Sequence, residues 1–244
     1  MQMKIGILFG GQGRRMGGPK LSLVIDGIPS WQRMRDVVVP LSDQPVLMVV
    51  PAGTRPMLWV ERIRTRGRYL LDVIALVQAA KSEPIMLING DALLVTTKDL
   101  ADFADAAEQS AADLVIPVVP KSSLPKEKQH WRRTNYMQGT LGMLPNRGLA
   151  RGQVMFFRRP IAPDMKLIER MERNKVYGFI KIMGFDFFRI FSMTMTLGNW
   201  QKRFQSLFGG SVEFLECQLA NLALDVDDRD DCEFLLEALK RRKS

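Results

Sequence analysis

The residues best suited to chemistry lie near the N-terminus, in the run Leu8-Phe9-Gly10-Gly11-Gln12-Gly13-Arg14-Arg15-Met16-Gly17-Gly18-Pro19-Lys20. Its five glycines let the backbone approach a bound group closely and adopt positive φ. Successive N–H groups of such a loop can surround phosphate oxygens. Arg14, Arg15 and Lys20 add fixed positive charge. A polyphosphate needs both features. Two other phosphate loops fit badly. A P-loop requires Gly-Lys followed by Ser or Thr, whereas Pro19 precedes Lys20 and Leu21 follows it. A dinucleotide fingerprint requires GxGxxG; Gly11 and Gly13 match, but Met16 stands at the third glycine. A plain surface turn would leave the coincidence of strand, glycines and cations unexplained.

Carboxylates form the second set. Asp91 closes Asn89-Gly90-Asp91, and Asp225 and Asp227 precede a C-terminal helix. Taken alone, Asp91 is equally a turn or capping residue. Asp225 and Asp227 are equally N-terminal caps, a role Asp228, Asp230 and Asp231 can also fill. Other chemistries have little support. One histidine, His130, leaves a multi-histidine metal site or a Ser-His-Asp triad resting on a single ring. Cys217 and Cys232 form no CxxC and read as ordinary thiols.

These residues need a scaffold, and the apolar pattern supplies one. Short apolar runs predict strands at Lys4 to Phe9, Pro45 to Val50, Ile85 to Ile88, Asp113 to Val119, Gln153 to Phe157 and Val212 to Leu215. Leu70, Val73, Ile74 and Val77 follow helical spacing, and Pro84 stops that helix. Thr97 is the expected cap of a helix whose inner face is Leu100, Phe103, Ala104 and Ala107. Further helices are expected at Asp164 to Arg173, Gly178 to Phe191 and Asn199 to Phe208, with a last one burying Cys232, Leu235, Leu236 and Leu239. The alternation predicts an α/β fold: a Rossmann-like, mostly parallel sheet with helices on both faces. Ligands in such sheets bind outside the carboxyl ends of the strands, where the loops after Phe9 and Ile88 both lie.

The chain's 244 residues suit a single domain, 1–244, with an excursion around 120–210, where Pro, Lys, Arg and Gly blur the pattern. The net charge of +9 is local: residues 121 to 175 hold 13 Lys/Arg and 4 Asp/Glu, and the remainder is balanced. A local basic field favours an anionic partner, although a solvated basic face gives the same count. No uncharged apolar run reaches the ~18 residues of a membrane helix, and no signal peptide is evident, so a cytoplasmic protein is expected.

The glycine-rich run resembles the N-terminal signature of the MobA-like nucleotidyltransferases, roughly Leu-Ala-Gly-Gly, two or three variable residues, Arg-Met-Gly, then Lys. That family includes molybdenum-cofactor, cobinamide-phosphate and sugar-phosphate nucleotidyltransferases. Phe9 departs from the usual Ala. The resemblance continues through Asp26-Gly27-Ile28-Pro29, Asn89-Gly90-Asp91-Ala92-Leu93-Leu94 and Ala223-Leu224-Asp225-Val226-Asp227. It is loose over residues 120 to 215. It implies the three-layer fold shared with GT-A glycosyltransferases. It also implies that Leu8, Gly10, Gly11, Gln12, Gly13, Arg14 and Asn89 contact the nucleotide. Arg15 and Lys20 would contact the triphosphate. Asp91 and Asp227 would hold magnesium or manganese, with Asp225 a close rival of Asp227. Arg132, Arg133, Arg151 and Gln153 are the candidate acceptor contacts within the basic segment.

The expected reaction is transfer of a nucleoside monophosphate from a triphosphate to a phosphorylated small molecule, with release of pyrophosphate. No nucleic-acid partner is expected; few aromatics beyond Trp131 and Tyr136 accompany the cations. Two alternatives remain at this stage. A GT-A glycosyltransferase would share the fold and metal, but Asn89 replaces the first acid of the usual Asp-x-Asp. A non-enzymatic nucleotide- or anion-binding protein would bind without metal dependence.

Overall fold

The computed structural model describes residues 3–9, 20–55, 57–128, 149–173 and 197–243. Strand β1 (Lys4–Leu8) is buried except at its first residue. After a 3-10 turn at Lys20–Ser22, β2 (Val24–Ile25) and β3 (Ile28–Pro29) form a hairpin. Its turn residues, Asp26 and Gly27, have φ of 53° and 73°. Two positive φ values in succession are what a type I′ turn requires, and Asp-Gly is a favoured sequence for it. Helix α1 (Ser30–Val38), β4 (Val46–Val50), β5 (Val60–Arg64), α2 (Tyr69–Ala79), β6 (Ile85–Asn89), α3 (Thr97–Gln109) and β7 (Leu114–Pro120) follow. Then come β8 (Leu149–Arg151), β9 (Val154–Phe157), α4 (Met165–Arg173), α5 (Leu197–Phe208), β10 (Val212–Glu216) and α6 (Arg229–Lys243).

Among the described residues the main sheet has the order β10-β7-β9-β6-β1-β4-β5, with β8 also on β7. Its β6–β1–β4–β5 half pairs in parallel, as do β7 and β10. Only β8 and β9 run against the rest. Central strands of such a sheet are covered on both faces and therefore read as continuous apolar runs. Alternate residues accordingly face two cores. Met86 and Ile88 pack with Met34, Leu100, Phe103 and Leu235 of α1, α3 and α6. Ile85 and Leu87 pack with Leu76, Ile168 and Phe208 of α2, α4 and α5. The result is the three-layer α/β arrangement expected, with helices on both faces.

Several details differ from the sequence reading. The α3 cap is Thr96, one residue before the expected Thr97. Thr96 Oγ1 accepts the Asp99 N–H (3.1 Å), and Asp99 Oδ2 accepts the Thr96 N–H (2.9 Å), a reciprocal capping box. Thr97 is occupied elsewhere: its hydroxyl donates to the Val37 carbonyl (2.8 Å). Strand β5 was not foreseen, because Glu61, Arg62 and Arg64 break its apolar pattern; it is an edge strand, where charge discourages further pairing. Strand β8 lies in the segment read as loop. It is separated from β9 by Gly152 and Gln153, and the Gly152 N–H donates to the Pro117 carbonyl (2.8 Å). A Cβ on Gly152 would stand 2.5 Å from Pro117 Cγ, so only glycine permits that approach. The helix expected at Gly178 to Phe191 lies outside the described residues. Cys217 and Cys232 are free, partly buried thiols, and burial raises both above the usual thiol range. Among the described residues no helix is long and apolar enough to cross a membrane.

Candidate active site

Because β1 and β6 are parallel neighbours with Leu8 opposite Asn89, both end at the same edge of the sheet. The Gly90 N–H donates to the Leu8 carbonyl (3.0 Å), joining the two strand ends. Phe9 is fully buried, and its ring fills the space over Gly90: a Cβ there would lie 2.3 Å from the ring. Phe9, the departure from the family's alanine, is thus matched by a glycine with no side chain to displace.

The turn after β6 closes with the Ala92 N–H on the Asn89 carbonyl (3.0 Å). The Asp91 carbonyl then accepts the Val226 N–H (3.0 Å). That contact, between residues far apart in sequence, helps bring Asp225 and Asp227 to Asp91. Each of the three offers a carboxylate oxygen, and these atoms all lie within 4.8 Å of one another. Asp91 Oδ1 is buried and has no hydrogen-bond partner among the described residues. The N-terminus of α6 has a cap in Asp228. Asp228 Oδ1 accepts the Asp231 N–H (3.0 Å), and Asp231 Oδ2 accepts the Asp227 N–H (2.9 Å).

Lys20 faces this cluster from the 3-10 turn that ends the glycine-rich run. The Ser30 hydroxyl, at the start of α1, contacts the carbonyls of Lys20 and Leu21 (2.7 Å to the latter) and so fixes that turn. Lys20 Nζ lies 2.5 Å from Asp91 Oδ2 and also pairs with Asp227 Oδ1. Among the described residues, three aspartates against one lysine leave a formal excess of two negative charges, suited to binding a cation.

Asn89 is held on both sides. Its Oδ1 accepts the Tyr69 hydroxyl (3.1 Å), and its Nδ2 donates to Gln153 Oε1 (2.6 Å). The Gln153 backbone bridges the Asn89 N–H (2.9 Å) and the Leu222 carbonyl (2.5 Å). Gln153, expected as an acceptor contact, therefore lies beside Asn89. Arg151 sits on β8 opposite Val118, at the same carboxyl edge. Gly10, Gly11, Gln12, Gly13, Arg14, Arg15, Arg132 and Arg133 lie outside the described residues.

Part of the basic segment has structural partners. Arg158 donates to the carbonyls of Ala107 and Glu108 at the end of α3 (both 3.0 Å). Arg159 pairs with the buried Asp113. Lys128 is buried against Asp231 (2.8 Å). The contacts of Tyr69 and Lys128 carried no sequence signal, since their partners lie 20 and 103 residues away.

A mostly parallel sheet with an acidic cluster at its carboxyl edge defines an α/β protein of the class that binds ligands outside the strand ends. The model of the MobA-like NTP transferase domain matches residues 5–180, and the chain belongs to that family. It is therefore a nucleotidyltransferase, which sets aside the glycosyltransferase and the non-enzymatic binding protein. Among solved structures, a hypothetical transferase from Thermus thermophilus superposes with a TM-score of 0.73 at 18% identity, covering 95% of this chain and 100% of that one. The 2-C-methyl-D-erythritol 4-phosphate cytidylyltransferase of the same organism gives 0.56 at 16% identity, covering 99% and 100%. The molybdopterin-guanine dinucleotide biosynthesis protein A of Archaeoglobus fulgidus gives 0.54 at 11% identity, covering 98% and 100%. These likenesses share the fold. No curated protein matches the sequence.

Proposed function

We propose that the enzyme transfers a nucleoside monophosphate from a nucleoside triphosphate to a phosphorylated small-molecule acceptor in a metal-dependent reaction. The observation that carries this reading is the meeting of Asp91, Asp225 and Asp227 with Lys20 at the end of the glycine-rich run. The donor set fits a hard divalent cation such as magnesium or manganese, which takes oxygen ligands. The buried Asp91 Oδ1, without a hydrogen-bond partner among the described residues, offers a lone pair such an ion would use. Asp91 and Asp227 would hold it, with Asp225 adjacent. When bound, the ion supplies neutralisation of phosphate charge.

The remaining steps belong to the chain's own residues. An acceptor phosphate oxygen attacks the α-phosphorus; the bond from that phosphorus to the bridging oxygen breaks, and its electrons leave with pyrophosphate. The attacking oxygen is already anionic, so no general base is needed, in keeping with a single histidine. Lys20, together with Arg15, takes up the charge growing on pyrophosphate. Gly10, Gly11, Gln12, Gly13 and Arg14 contact the nucleotide, as do Leu8 and Asn89 at the ends of β1 and β6. Arg132, Arg133, Arg151 and Gln153 receive the acceptor, drawn by the basic excess of residues 121 to 175. Holding two polyanions in register supplies much of the rate.

The test is a pyrophosphate-release assay with each nucleoside triphosphate, magnesium and a panel of sugar, polyol and pterin phosphates. Metal-dependent pyrophosphate release with one pair is the expected result. Nucleotide binding that survives chelation, with no pyrophosphate from any acceptor, would overturn it.

A further inference from the structure

We infer that Asp231, locked by a buried ion pair with Lys128, is a positioning residue that sets Asp227 for metal binding. The inference rests on the reading of Asp227 as a metal-holding residue.

The Asp231 side chain is 2% exposed and that of Lys128 is 9% exposed, with Nζ 2.8 Å from Oδ1. The ammonium also lies 4.8 Å from the Phe234 ring centroid. Burying an ammonium and a carboxylate together costs desolvation that their attraction often fails to offset, so such a pair is a poor device for stability alone. This pair has a specific geometric consequence. Asp231 uses Oδ1 for Lys128 and Oδ2 for the backbone N–H of Asp227 (2.9 Å), while its own N–H is held by Asp228 Oδ1 (3.0 Å). The peptide that carries the Asp227 side chain is thus tied to a carboxylate that is itself pinned. The hydrogen bonds of Asp231 with Asp227 and of Val226 with Asp91 thus both act on the short stretch between α6 and the metal cluster. Lys128 comes from the 3-10 turn Lys126–Lys128, inside the basic segment, so the pair also joins that segment to the acidic centre. Hydrogen bonds that orient metal ligands govern affinity without touching the ion.

The test compares two double variants that both remove the buried charges. Lys128→Met/Asp231→Asn keeps an oxygen for the Asp227 N–H; Lys128→Met/Asp231→Leu does not. Thermal midpoints and Mn2+ affinity of the substrate-free protein, read by calorimetry and electron paramagnetic resonance, are measured for each. The expected result is Mn2+ affinity near the parent for the Asn variant and about 10- to 100-fold weaker for the Leu variant. The difference should persist where the two thermal midpoints agree. Should the Leu variant fail to fold, Lys128→Met/Asp231→Ala makes the same comparison. Parental affinity in the variant lacking the acceptor overturns the positioning role, as does affinity that merely follows thermal stability. Asp227→Ala separates the two readings. If it binds Mn2+ like the parent, the metal assignment fails and this inference with it. If it loses Mn2+ while the Leu variant does not, only the positioning role fails.

Discussion

Lys20 and Asp91 meet 2.5 Å apart, with the same ammonium also on Asp227, so Lys20 pairs with two of the carboxylates that a metal ion would use. Lysine and metal are then competitors until a triphosphate offers the ammonium another partner. Lys20→Met should bind Mn2+ more tightly than the parent when no nucleotide is present. A partly exposed ion pair is worth about 1 kcal/mol, so the gain should be about fivefold. Turnover should fall at least ~10²-fold, the scale of a lost electrostatic stabiliser. Titration with Mn2+ beside a steady-state assay reads both effects; weaker metal binding in the variant would remove Lys20 from the competition.

Asp91 has a different signature. It is anchored at the end of β6, its backbone carbonyl holds Val226, and its Oδ1 has no partner among the described residues. Asp91→Ala should leave the thermal midpoint near the parent, because neither the carbonyl contact nor the strand depends on the side chain. Turnover should fall by at least ~10²-fold, and raising magnesium should not restore it. Normal turnover would mean that the reaction occurs elsewhere on the molecule.

How much of this was legible in the sequence depended on where each residue's partners lay. Strands β1, β4 and β6 could be read because burial on both faces writes a continuous apolar run. Strand β5 could not, because an edge strand is free to carry Glu61, Arg62 and Arg64. The helix at Thr97 was read correctly and its cap was not, since the Thr97 hydroxyl goes to Val37, a tertiary contact no local pattern reveals. Asp225 and Asp227 were visible as candidates, but local rules equally allowed them to cap α6. The Val226–Asp91 backbone bond helps bring them to the cluster, and Asp228 caps α6 through the Asp231 N–H. Asp231 itself looked like one capping acid among several, because Lys128 is 103 residues away.

Gly90 offers a test of how tightly the site is built. Its missing side chain is replaced by the Phe9 ring, which would stand 2.3 Å from an added Cβ. Both residues are buried, so the clash has no easy outlet. Gly90→Ala should cost about 1–3 kcal/mol in urea unfolding, the range for overpacking a core. Phe9→Ala/Gly90→Ala should recover part of that loss, because the alanine methyl then occupies space the ring has left. Equal destabilisation in the single and double variants would show that something other than the ring selects glycine here.

Asp113 predicts a pH dependence far from the acidic centre. Hydrogen bonding to the Arg159 guanidinium, helped by the Ser211 N–H (2.8 Å) and hydroxyl (2.9 Å), outweighs burial and holds its carboxyl below the usual aspartate range. A carboxylate with a lowered folded pKa stabilises the protein at pH values above the unfolded pKa of about 3.9, and that stability is lost as pH falls through the folded value. Asp113→Asn retains an oxygen for Ser211 but carries no charge for Arg159. The variant should be less stable than the parent at pH 7, and the gap should narrow as pH falls below about 4, because protonation then takes the same charge from the parent. Urea midpoints measured from pH 7 to the acid limit of folding give the comparison directly, with the other carboxylates common to both proteins. A gap of constant size across that range would mean that Asp113 contributes through packing and neutral hydrogen bonds, and that the guanidinium contact adds nothing by its charge.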